Sequence, residues 1–95
     1  MEVTREVWKY VLPWTRGIHA ITMQADAHIL TAQKHQGVLT LWATVNPKYP
    51  DLNKLVRLRV VFTGESFNVF GNVYVATVQD EAGYVWHIYE VADYA

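Results

Sequence analysis

The chain has 95 residues, a net charge of -1, no cysteine and only 18% charged side chains. That length fits one domain spanning 1–95, and the composition argues against a disulfide framework, thiolate chemistry or the basic footprint of a specific nucleic-acid binder. The segment Met1 to Glu6 is charged and has no apolar signal core, and no apolar run approaches bilayer length; a cytoplasmic protein without a membrane span is the expectation.

The first predicted strand is Val7 to Leu12, ended by Pro13, with a turn at Trp14-Thr15-Arg16-Gly17. Ile18 to Met23 reads as a second, short strand. Ala25 to His28 is ambiguous, because Ala favours helix, and a one-turn helix there competes with a strand that starts at Ile29 and ends at Lys34. After His35-Gln36-Gly37 comes Val38 to Val45, rich in β-formers, and the two segments read as a hairpin. Asn46 to Asn53 is the longest loop, broken by Pro47 and Pro50.

Leu55 to Phe62 has the sharpest pattern. Val56, Leu58, Val60 and Phe62 share one face, while Leu55, Arg57, Arg59 and Val61 share the other. Thr63 to Ser66 is a turn. Phe67–Phe70 and Val73–Val78 flank Gly71-Asn72, a two-residue hairpin signal. Gln79 to Gly83 then connects, as another hairpin, to the last strand, where Tyr84, Trp86, Ile88 and Glu90 alternate with Val85, His87, Tyr89 and Val91. Both of its faces carry large side chains, so both are covered. The reading is an all-β domain, an antiparallel meander closing into a small barrel or sandwich of seven to eight short strands with at most one helical turn.

Trp8-Lys9-Tyr10-Val11-Leu12-Pro13, Leu41-Trp42-Ala43-Thr44-Val45-Asn46-Pro47, Thr63-Gly64-Glu65 and Val85-Trp86-His87-Ile88-Tyr89-Glu90 form an ordered pattern across nearly the whole chain. The pattern resembles a family of small proteins encoded by tailed bacteriophages and prophages, a domain of unknown function. The resemblance implies a phage setting and a compact β fold. It brings no catalytic residue.

His19, His28, His35 and His87 lack the spacing of a metal site and have no cysteine to complete one, so neither a metal nor a cofactor is expected. His87, near Trp86 and Glu90, reads as a hydrogen-bonded strand histidine rather than a general base. The single serine, Ser66, is not in a nucleophile elbow, and nothing in the spacing joins it to His87 and Asp80. With no nucleophile, metal set or paired acids, the chain reads as a non-enzyme.

Arg57 and Arg59 lie about 7 Å apart on one strand face. Two guanidiniums at that spacing can grip a phosphate or carboxylate; the competing reading is a solvated edge or pairing with a neighbouring Glu. Trp86, His87 and Tyr89 complete the candidate ligand site, the rings offering faces for a base. Trp42 reads as core. Trp14 and Arg16, in a turn, read as interface anchors. Four Trp, six Tyr and three Phe are many for so small an interior, so exposed aromatics and a homo-oligomer are expected. Two functions fit: an oligomeric module that sequesters a small anionic, nucleotide-type signal of host defence, or a protein-binding inhibitor of a host factor or a minor virion component.

Overall fold

A ten-residue strand, Asn53–Phe62 (β5), sits inside one of two sheets and sets which residues face inward. Leu58 and Val60 are fully buried, whereas Leu55 on the opposite face is 68% exposed. The computed structural model describes residues 4–92. The remaining strands are β1 (Glu6–Leu12), β2 (Gly17–Gln24), β3 (His28–His35), β4 (Val38–Val45), β6 (Asn72–Gln79) and β7 (Val85–Val91). Among the described residues there is no helix, and so none long and apolar enough to cross a membrane.

Sheet A has the order β1-β4-β3 and sheet B the order β2-β5-β7-β6, with every pairing antiparallel. The fold is a seven-stranded sandwich; the sheets do not close into a barrel. The expected hairpins β3–β4 and β6–β7 form. The first turns on Gln36 and Gly37, both with positive φ, at 51° and 79°. That is the backbone of the tight turn whose twist matches paired strands. The chain is not a simple meander, because β1 and β2 lie in different sheets and β2 pairs with β5.

One strand expected from the sequence is absent. Phe67–Phe70 is a loop rather than a hairpin arm: it turns back over sheet B, with the Phe67 ring 4.9 Å from Tyr89. Asn72 pins this loop, donating from Nδ2 to the carbonyls of Asn68 (3.0 Å) and Phe70 (3.1 Å). The ambiguous segment before Ile29 is a turn, with Ala27 N–H bonded to Gln24 O at 2.9 Å.

Leu12, Leu39, Leu41, Ala43 and Ala32 from sheet A meet Met23, Val56, Leu58, Val60, Ala76, Val78, Trp86 and Ile88 from sheet B. Burying such side chains contributes about 1.5–3 kcal/mol each for the large ones. One polar side chain lies among the fully buried groups at the loop end: Gln24 is 1% exposed. Its Oε1 accepts the N–H groups of Asp26 (3.0 Å) and Asn46 (2.9 Å), and its Nε2 donates to Tyr49 O (3.3 Å). Two loops from different sheets are thereby fastened to one buried amide, which is how a buried polar group escapes the cost of desolvation. Lys34 on β3 joins Glu81 in the β6–β7 turn at 3.2 Å, on the side where β3 lies beside β6.

Candidate functional site

Strand parity on sheet B decides which residues share its outer face. Register places Ile18, Arg59, Tyr89 and Tyr74 in one row across all four strands. Ala20, Arg57, Val91 and Asn72 form the next row, and Val61, His87 and Thr77 a third. Arg57, Arg59, His87 and Tyr89 are thus on one surface, as the alternation in the sequence requires. No strand position on this face, among the described residues, is Asp or Glu.

The loop after β5 folds back over part of the surface. Phe67 lies 4.9 Å from Tyr89, and Tyr74 meets the same ring edge-on at 5.6 Å. Arg59 is held between two loop-end groups: its Nε donates to Asn72 Oδ1 at 3.1 Å, and its guanidinium lies 6.0 Å from the Phe67 ring. Arg57 is more exposed than Arg59. Val61 is 3% exposed although it faces outward.

His87 is fixed at both ring nitrogens. Nε2 bonds to Thr63 Oγ1 at 2.7 Å and Nδ1 to Thr77 Oγ1 at 3.0 Å, and Thr77 Oγ1 bonds in turn to Tyr74 OH at 2.8 Å. A hydroxyl can donate or accept, so either neutral tautomer is satisfied. Asp80 is engaged elsewhere, with Trp86 and the turn amides. The arrangement orients an imidazole between hydroxyls; it does not build an acid–histidine–nucleophile relay. Thr63, Thr77, Asn72, Phe67 and Tyr74 belong to this cluster and were not singled out from sequence. Thr77 could have been found, since it stands opposite His87 in the expected last hairpin.

Trp86 is a correction. It faces the core at 5% exposure, 4.2 Å from Phe62, so it offers no ring to a ligand on the outer face. Its Nε1 donates to Asp80 Oδ2 at 2.9 Å, and that bond, with amide donation from Tyr84, Ala82 and Gly83, holds the Asp80 carboxyl below its ordinary pKa against the opposing effect of desolvation. Trp14, expected as an exposed interface anchor, is half-buried, 5.7 Å from the Trp86 ring, with its indole N–H donating to Gly37 O at 2.9 Å. It stoppers one end of the sandwich by bonding to one sheet and packing on the other. Arg16 is exposed, with its guanidinium 5.3 Å from the Phe62 ring and 3.8 Å from Glu65. Trp42 faces the outer side of sheet A, edge-on to His35 at 5.4 Å, rather than the core.

Recesses mark the surface formed by the described residues. An apolar one of about 450 Å³ is lined by Phe62, Thr63, Gly83, Tyr84 and Val85, and it adjoins the His87 cluster through Thr63. A polar cleft of about 360 Å³ between β3 and β6 includes His28, Lys54, Tyr74 and Glu90. A shallow dent of about 120 Å³ includes Leu55, Arg57, Glu90 and Val91. Among the described residues, no group of three or more His, Cys, Asp or Glu is placed to hold a metal ion.

Residues 3–95 match the family described as Domain of unknown function (DUF7352). The chain belongs to this family. The match takes in all seven strands of the DUF7352 sandwich and every residue of the outer-face cluster. No curated protein and no solved structure matches the chain.

Proposed function

We propose that this DUF7352 protein is a non-enzymatic phage accessory module that binds a small anionic, base-containing ligand on the outer face of sheet B. In the host cytoplasm it sequesters a nucleotide-type signal of host defence. The observation that carries this reading is the chemistry of that face: Arg57 and Arg59 project beside Tyr89 and Tyr74, with no carboxylate at any strand position among the described residues. Anions are attracted to such a surface, and guanidinium pairs suit phosphate oxygens. Tyr74, 56% exposed, offers a flat ring to a base. Arg59 and His87 are already oriented by protein partners, so less ordering accompanies binding.

The test is calorimetric titration of cyclic nucleotides and ADP-ribose derivatives into wild type and the Arg57→Ala, Arg59→Ala and Tyr74→Ala variants. Wild type binds, and each Arg variant weakens binding by about 1.5–3 kcal/mol, the scale of a charged hydrogen bond. Absence of heat with every nucleotide, or equal binding by all variants, ends this reading.

A second reading, a protein-binding inhibitor of a host factor or a minor virion component, draws on the loop that borders the same face. Phe70 is 78% exposed and Val69 64%, and large aromatic side chains at a loop tip are common anchors in protein interfaces. If Phe70→Glu abolishes recovery of one defined partner while nucleotide titrations stay silent, this second reading holds.

A further inference from the structure

We propose that the free edge of β2 is a dimerisation edge: β2 pairs antiparallel with β2 of a second copy, joining two four-stranded sheets into one of eight. A sheet edge presents unpaired N–H and C=O groups, and folded proteins blunt such edges with charges, proline, bulges or cover. The four edge strands here are β1, β3, β2 and β6. β1 carries Glu6 and Lys9 and runs into Pro13. β3 has a bulge between Ile29 and Thr31, carries Lys34 and lies beside β6. β6 has its own bulge between Tyr74 and Ala76.

β2 has no charge, proline or bulge; only its last residue is covered, the Gln24 N–H donating to Tyr10 OH at 3.1 Å, which leaves Gly17 to Met23 as the open stretch of the edge. Its eight residues, Gly-Ile-His-Ala-Ile-Thr-Met-Gln, include no Asp, Glu, Lys, Arg or Pro, and they pair with β5 in unbroken register from Gly17 to Gln24. Among the described residues, no strand pairs with its other edge. The strand is therefore unbroken in register, free of Asp, Glu, Lys and Arg, and long enough to serve as a template.

The occupant that fits best is a second copy of this chain. A two-fold axis perpendicular to the sheet keeps each residue on its own face, so residues of the same parity must meet across it. With the axis near the middle of β2, Ala20 lies beside Ala20 of the other copy or beside its Thr22. Ile18, 49% exposed, is then opposite Thr22 in the first register and Gln24 in the second, neither of which is charged. Because β2 has no Asp, Glu, Lys or Arg, none of these charges is brought against its own copy across the axis, where like charges directly opposite destabilise a pair. The Arg57 side chains, one strand further out in each copy, would lie about 14 Å apart, three strand spacings. Two anion-attracting rows would then share one surface.

Sedimentation velocity between about 1 and 100 µM tests the proposal; a dimer in this range corresponds to an interface of ordinary strength. Wild type is expected to dimerise. Ala20→Glu is the disrupting variant. In the single copy position 20 is exposed and the introduced carboxylate stays in water, whereas in the dimer two carboxylates approach each other. Its dissociation constant should rise about tenfold or more. Ala20→Lys should do the same, and an equimolar mixture of the two variants should restore a dimer. Val7→Glu on the outer face of sheet A, at β1, should leave the mass unchanged. Circular dichroism verifies that each variant is folded. Monomeric wild type at the highest concentration, Ala20→Glu that dimerises like wild type, or a folded charge-swapped mixture that stays monomeric overturns the proposal.

Discussion

The Trp86 indole N–H donates to Asp80 Oδ2 at 2.9 Å, and this single bond connects the sandwich core to the β6–β7 turn. Asp80 Oδ1 takes the amides of Ala82 (2.9 Å) and Tyr84 (3.0 Å). One carboxylate thus shapes the turn and orients the largest core side chain of β7.

Acid should weaken the fold through Asp80. Its pKa is lowered from 3.8, first by the Trp86 bond and then by the turn amides. A group depressed in the folded state contributes its stability fully above the unfolded value. That contribution is lost as pH falls from 3.8 through the lower folded value. Thermal unfolding followed by circular dichroism should show Tm falling over this window in wild type. Asp80→Asn, which cannot ionise, should have a lower Tm at neutral pH and a flatter acid profile. Parallel profiles for the two proteins would refute the assignment.

Gln24→Ala should cost about 2–4 kcal/mol, because the amides of Asp26 and Asn46 each lose a buried acceptor, and each orphan costs about 1–3 kcal/mol. Gln24→Glu keeps the acceptor and loses the donor to Tyr49, so it should be the milder change near neutral pH. Urea unfolding at constant m-value measures both. Equal stability of Gln24→Ala and wild type would show that water replaces the side chain.

Trp14→Ala should destabilise by about 2–4 kcal/mol, somewhat under the range for a fully buried aromatic, since Trp14 is half-buried. Its oligomeric mass should not change, because the ring packs within the chain. Loss of mass without loss of stability would return Trp14 to an interface role.

Gln36→Asn should stabilise by a few tenths of a kcal/mol, about 0.5 at most, since Asn tolerates positive φ better than Gln. Gly37→Ala should destabilise by about 1 kcal/mol through φ alone, because an added Cβ there meets no atom within 4 Å. Melting temperatures of the pair should move in opposite directions.

The local chemistry of this fold was legible in the sequence. Strand alternation in Val56–Phe62 told core from surface because one face was uniformly apolar. Gln36-Gly37 announced a hairpin, and Arg57, Arg59, His87 and Tyr89 were assigned to their shared faces by parity alone. The face of Trp86 was legible too, yet its role was not: with large side chains on both sides of β7, nothing in the strand itself said which face met the other sheet. Trp14 was misread for a related reason. A turn position suggests exposure, and only the approach of Gly37 and Trp86 from distant segments covers the ring. Phe67–Phe70 has strand composition, but Phe67 packs on Tyr89 and the Asn72 side chain bonds the Asn68 and Phe70 carbonyls, contacts with distant or later residues that composition does not announce. The β2–β5 pairing joins segments about thirty residues apart, with no turn to specify it.

That separation has a consequence for the nascent chain. When β4 leaves the ribosome, β1, β3 and β4 can already assemble as sheet A, whereas β2, lying between β1 and β3 in sequence, has to wait for β5. A strand without Asp, Glu, Lys or Arg is thus exposed during synthesis, bracketed by segments that have already found partners, and the whole of sheet B must assemble around a late-arriving strand. Non-local closure of this kind slows folding and leaves unpaired edges open to misassembly. Ribosome-bound chains halted before Asn53 should show protease cleavage concentrated in Gly17–Gln24, with protection appearing once Phe62 has emerged; uniform cleavage at both stages would mean that the sheets form together.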